Sequence, residues 1–204
     1  RPLRYVAGLY YYQGDAKTVS RDQINTTTGA PTPMTRTRDE VENHAVFGSI
    51  EYDFAARWTA GIELRWAEDE VTVTATPAPN APPSTAVLCN RTLCNDTTTS
   101  LTPRFSLTWR TTDDLSTYAN IAKGTKPGDF NSTVPDESYR AVDEETLWSY
   151  ELGLKSRLLD DRLSLALAAY YLEVDDQQLT SLVELDTGRT ESILVNAGQT
   201  EAWG

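Results

Sequence analysis

The sequence predicts an all-β fold, an antiparallel meander of about eight strands, and three observations predict it. Oily and polar residues alternate with period two in run after run, as half-buried strands require. The connections between runs alternate long, short, long, short, long, short. Aromatic residues gather where the runs end.

The first strand is Leu3 to Gln13, followed by a long polar segment, Gly14 to Glu40. The second, Val41 to Asp53, sets Val46, Gly48, Ile50 and Tyr52 against Ala45, Phe47, Ser49, Glu51 and Asp53. After the tight turn "FAAR" the third, Arg57 to Val73, splits cleanly. Trp58, Ala60, Ile62, Leu64 and Trp66 fall on one face, and Thr59, Gly61, Glu63 and Arg65 on the other. A Thr- and Pro-rich segment, Thr74 to Thr98, leads to the fourth strand, Thr99 to Arg110, in which Leu101, Phe105, Leu107 and Trp109 oppose Arg104, Ser106 and Thr108. Pro103 lies inside it and lacks a ladder donor, so a bulge or local break is expected there.

"TTDD" turns the chain into the fifth strand, Asp114 to Gly124, where neither face is clearly oily. The third long connection is Thr125 to Asp143. Then Glu144 to Leu158, the turn "LLDDR" and Arg162 to Leu185 form a hairpin in which Trp148, Tyr150, Leu152 and Leu154 are followed by Leu163, Leu165, Leu167, Ala169 and Tyr171. A shorter connection, Asp186 to Arg189, leads to the last strand, Thr190 to Gly204, whose Trp203 shares its parity with Gln199 and Glu201.

In a meander every second connection lies at the same end, so the long segments share one side and the tight turns the other. Transmembrane barrels have this asymmetry, whereas nothing makes a soluble sandwich segregate its loops by length. Nine alternating residues from Trp58 to Trp66 are about what a tilted membrane strand needs. Trp58, Tyr52 and Trp109 beside the short turns, and Tyr11, Trp66, Trp148 and Tyr150 beside the long loops, form two girdles at headgroup level. The opposite face carries Glu63, Arg65, Arg104, Glu151 and Lys155, which in a dry core would cost several kcal/mol each if unpaired. A hydrated lumen removes that cost, so the oily face is expected to meet lipid.

Composition narrows the function. A net charge of −12 argues against nucleic acid, which is held by clustered Lys and Arg. No run approaches the roughly eighteen apolar residues of a membrane helix, and a mean hydropathy of −0.46 is compatible with a barrel, whose strands alternate. Catalysis is not expected: His44 is the one histidine, and no nucleophile elbow, metal-spaced cluster or phosphate loop accompanies it. "DFNST" lacks the glycine and terminal Glu of a calcium loop. Cys89 and Cys94 in "CNRTLC" would bridge in an oxidising compartment; zinc lacks further ligands nearby, and free thiols are the third reading. Neither a metal site nor a cofactor is expected.

Specific segments carry a resemblance. "FGSIEYDFAARWTAGIELRW" (Phe47 to Trp66), "IAKGTKPGDFN" (Ile121 to Asn131), "ETLWSYELGLKSRLLDDRLSLALAAYY" (Glu145 to Tyr171) and "VNAG" (Val195 to Gly198) resemble, in this order, the barrel of TonB-dependent outer-membrane receptors. Such barrels have about twenty-two strands around an N-terminal plug. With room for about eight and no signal peptide or plug visible, residues 1–204 are expected to be an internal part of a larger transmembrane barrel.

The resemblance implies import of a scarce solute, most often a ferric siderophore, across the outer membrane. The implied partners are outer-membrane lipid, the receptor's own plug domain and the TonB complex. Arg36, Arg38, Arg91, Lys126, Tyr139 and Arg140 in the long segments suit an anionic or aromatic chelate through charge-assisted hydrogen bonds and stacking. Two rival architectures remain: a small closed outer-membrane barrel acting as porin or adhesin, and a soluble secreted β-sandwich binding protein. In the latter, Asn25, Asn90, Asn95 and Asn131 would be glycosylation acceptors.

Overall fold

A computed structural model describes residues 2–21, 34–77, 89, 94–132, 134, 137–160, 162–184 and 190–204. Its strands are β1 (Leu3–Arg21), β2 (Met34–Ala55), β3 (Trp58–Pro77), β4 (Asn95–Arg110), β5 (Leu115–Lys126), β6 (Asp129–Phe130), β7 (Ala141–Val142), β8 (Glu145–Leu158), β9 (Leu163–Asp175), β10 (Gln178–Glu184), β11 (Thr190–Asn196) and β12 (Thr200–Trp203). Eight of them form one antiparallel sheet in the order β1-β2-β3-β4-β5-β8-β9-β12, while β6 pairs with β7 and β10 with β11 as separate small sheets. The predicted meander is present. The sheet is open, with β1 and β12 at opposite edges.

Register decides which residues share a face. Tyr5, Ile50, Ile62, Phe105, Ile121, Tyr150 and Tyr171 stand in one row across seven strands, and Leu9, Val46, Trp66 and Leu101 two rows above on the same face. These side chains are exposed rather than packed into an interior: Ile62 by 49%, Leu64 by 47% and Leu152 by 63%. The opposite rows carry Arg4, Glu51, Glu63, Arg104, Asn120 and Glu151. A wall with a greasy outer face and an ionic inner face follows. Trp58 and Trp109 stack near the short turns, with ring centroids 5.3 Å apart, and Tyr150 lies 6.1 Å from Tyr171 toward the other end.

Two expectations need correction. First, the segment Gly14 to Glu40 is not a loop throughout: β1 and β2 stay paired out to Arg21 and Met34. At about 3.3 Å per residue the 22 residues of β2 span roughly 70 Å, more than twice a hydrocarbon core of about 30 Å. The hairpin therefore projects beyond the membrane on the long-loop side.

Second, the run Arg162 to Leu185 is not one strand. Asp176 takes a positive φ of 54°, which ends β9, and β10 leaves the wall to pair with β11; Gly198, at φ 76°, turns the chain back into β12. Glycine reaches that region without the Cβ clash, and Asp tolerates it. The final connection of the wall is thus residues 176–199, a fourth long excursion, and the short segment Asp186 to Arg189 lies outside the described residues. This also explains the parity of the last strand: Trp203 pairs with Tyr171 in the greasy row, while Glu201 pairs with Glu173 toward the long loops.

The expectation at Pro103 holds in its second form, a local break rather than a bulge. Pro103 faces Leu64 in unbroken register on the β3 side, and on the β5 side pairing ends at Arg104, next to the residue that has no N–H.

Candidate solute-binding rim and lumen

Above the membrane belt the inner row continues as Asn43, Asp69, Val71 and Val73. Arg65 donates to Asn43 Oδ1 at 2.8 Å, Asn43 in turn donates to Asp69, and the guanidinium lies 5.2 Å from the Tyr10 ring. Asp39 is on the same row, half-buried, and burial followed by the charge of Asp129 raises its pKa above 3.8. A carboxyl with a raised folded-state pKa binds protons more tightly folded than unfolded. Stability therefore falls as pH rises from about 3.9 through the folded value, and the cost is complete at neutral pH. Asp39→Asn is expected to slow protease cleavage of the projecting hairpin a few-fold at pH 7 and to leave it unchanged below pH 4. Cleavage of the purified full-length receptor at the two pH values checks this.

Two bodies fold onto this inner face. In the first, Cys89 and Cys94 form a disulfide and bury Val71 and Val73 together with Val41, Ala75 and Phe130. The chain there runs alongside β3, with Val73 N donating to Cys94 O at 2.8 Å and Ala75 N to Cys89 O at 2.9 Å.

The second body joins residues 127–144 to the β10–β11 hairpin through a small core of Val134, Ile193, Tyr139, Val183 and Val195. Gly128 has a steric reason to be glycine: a Cβ there would lie 2.6 Å from the Val142 carbonyl oxygen. Cys89 N donates to Ser132 O at 3.3 Å, linking the two bodies.

The residues expected to meet a solute are not all together. Arg36 and Arg38 lie in β2, on the outward row with Glu40 and His44. Arg38 Nη2 is 2.6 Å from Asp15 and 3.0 Å from Glu40, and its hydrogen bond holds the Asp15 carboxyl below its usual range. Lys126 ends β5 on the inner row, exposed, opposite Glu145. Tyr139 is half-buried in the second body, and Arg140 is 8% exposed, 3.6 Å from Glu137. Arg91 lies outside the described residues, as do Asn25 and Asn90. His44 faces outward, 3.2 Å from Glu42, with its ring 4.9 Å from that of Tyr11 and tilted by 43°.

Sequence reasoning missed Asn131, Gln178 and Asn196. Asn131 Nδ2 donates to the carbonyls of Tyr139 and Leu194, at 2.7 and 2.8 Å. The only signal was that Asn131 and Asn196 fall inside "DFN" and "VNAG".

The family model for the TonB-dependent receptor-like β-barrel matches residues 2–204. The chain belongs to the TonB-dependent receptor β-barrel family. It is a family of transport receptors rather than enzymes, seated in the outer membrane of Gram-negative bacteria.

Over 138 residues this receptor segment is 28% identical to the metal-pseudopaline receptor CntO of Pseudomonas aeruginosa, covering 68% of the segment and 18% of that protein. Among solved structures it resembles the ferric yersiniabactin uptake receptor FyuA from Yersinia pestis, with a TM-score of 0.74 and 23% identity over 100% of the segment and 29% of that chain. The siderophore receptor PiuA from Acinetobacter baumannii gives 0.63 and 16%, over 98% and 31%. The segment thus spans less than a third of each of these relatives.

Proposed function

We propose that residues 1–204 form part of the wall and external rim of a receptor that imports a scarce metal chelate, such as a ferric siderophore. The plug domain and the TonB complex that would supply gating and energy lie outside this chain. One observation carries the reading: a wall with an ionic face and an opposite greasy, exposed face, with two loop bodies folded over the ionic face at its long-loop end. A passage with a capping rim needs that arrangement, and a diffusion pore has no use for the inward bodies. The printed names of the relatives, which include metal-pseudopaline, ferric yersiniabactin and siderophore receptors, support the same class of cargo.

Lys126, on the inner row at the rim, is the cation we assign to first capture of an anionic chelate, with Arg36, Arg38 and Arg91 adding to the attracting field and Tyr139 and Arg140 shaping the loop behind it. Deleting the full-length gene is expected to abolish uptake of radiolabelled ferric siderophore under iron restriction, and loss of TonB to do the same. Lys126→Glu should lower uptake about tenfold with unchanged receptor at the cell surface. Uptake that persists without TonB rejects the reading; uptake of a copper, zinc or nickel chelate in place of iron reassigns the cargo.

A further inference from the structure

Resting on the receptor reading above, we infer that Asn131, Gln178 and Asn196 are positioning residues that join the described residues of 127–144 to β10 and β11 as one rigid rim unit, so that a solute touching either part moves both. The β10–β11 hairpin has no ladder to the wall sheet. A two-stranded hairpin is marginal alone in water, so its order must come from what it docks against.

The hairpin docks mostly through amide side chains acting as strand partners, Asn131 from the facing loop and Gln178 and Asn196 from the hairpin itself. Asn131 Oδ1 accepts from Leu194 N at 3.0 Å while its Nδ2 donates to Leu194 O at 2.8 Å, the exchange that a peptide unit makes with its neighbour in a sheet. Asn196 repeats this from the other side: Oδ1 accepts from Asp143 N at 2.9 Å and Nδ2 donates to Asp143 O at 3.0 Å. Gln178, 7% exposed, donates through Nε2 to Pro127 O and Asp143 O, at 2.8 and 2.9 Å, and through its backbone N to Glu145 at 2.8 Å.

Each loop therefore reads the other's backbone. The Val134–Ile193 core between them is too small to hold them by itself. Removing Asn131 takes partners from the part-buried Leu194 peptide unit in one loop and from the Tyr139 carbonyl in the other at once, and this makes opening cooperative.

Hydrogen exchange on the full-length receptor in detergent or nanodiscs tests this without any solute, so the cargo assignment does not enter. Asn131→Ala should raise exchange about tenfold at Leu179 and Val183, which Asn131 does not touch, as well as within 137–143. Asn196→Ala should do the same at Asn131 and Tyr139, and Asn131→Asp, which keeps the acceptor and loses the donor, should fall between. Wall amides in β2 to β4 should not change. An increase confined to the substituted loop, or one shared equally by the wall, overturns the proposal. If the variants do not fold, the unmodified receptor decides: under conditions where opening limits exchange, 141–143 and 190–196 should share one opening rate, and two distinct rates overturn it.

Discussion

Ile62→Arg is expected to cost the folded receptor roughly 2–4 kcal/mol, enough to remove most folded barrel from the outer membrane. Ile62 stands in the middle of the greasy row, between Ile50 and Phe105, with half its surface open to the surrounding medium. At that depth a guanidinium has no water within reach of its donors and no carboxylate beside it on the outer face. Moving one residue along the same strand reverses the outcome. Glu63 faces the lumen, 3.9 Å from Arg104, and both side chains are about half exposed. Such a solvated pair is worth at most about 1 kcal/mol, so Glu63→Gln should leave folding close to unchanged. Heat-modifiable gel mobility and denaturant midpoints of the full-length receptor measure both. Equal tolerance at positions 62 and 63 would contradict the assignment of the two faces.

Gly153→Val should damage folding from the inner face. The Tyr118 ring lies over Gly153 from the neighbouring strand, and a Cβ at 153 would lie 2.5 Å from Tyr118 Cζ. To make room the ring must leave Lys155, 5.4 Å from its centroid, while the β5–β8 ladder fixes its Cα opposite Gly153. Overpacking of this kind costs about 1–3 kcal/mol, and here it would push two wall strands out of register. Tyr118→Ala in the Gly153→Val background should recover most of the lost folding. That rescue distinguishes a steric joint from a general intolerance of side chains at 153, and its failure would assign Gly153 some other role.

The two substitutions also show what could be read without coordinates. Alternation of Ile62 with Glu63 is a relation between neighbours in the chain, and period two converts it directly into opposite faces of a sheet. Loop length is also local. The eight-strand meander, the girdles at Trp58, Trp109 and Tyr150, and the end at which loops project therefore needed only the order of residues.

The errors arose where neighbours carry no information. "DDQQLTSLVEL" continues to alternate past Asp176, and a change of φ at one residue, invisible in the pattern, carries β10 away from the wall. Paired strand and polar loop also look alike in Lys17 and Arg38, which become opposite positions in a ladder only because the whole hairpin zips.

The rim was the least legible part. Asn131 meets Leu194 across 63 positions, and Gln178 reaches Pro127 across 51. No rule of local spacing links such residues, because a side-chain amide suits a solvated loop as well as it suits a foreign backbone. Local periodicity therefore set the faces and the wall. The partners of the loops depended on closure of the chain over long separations, where peptide groups outside any ladder were satisfied by whichever amides the folded wall brought within reach.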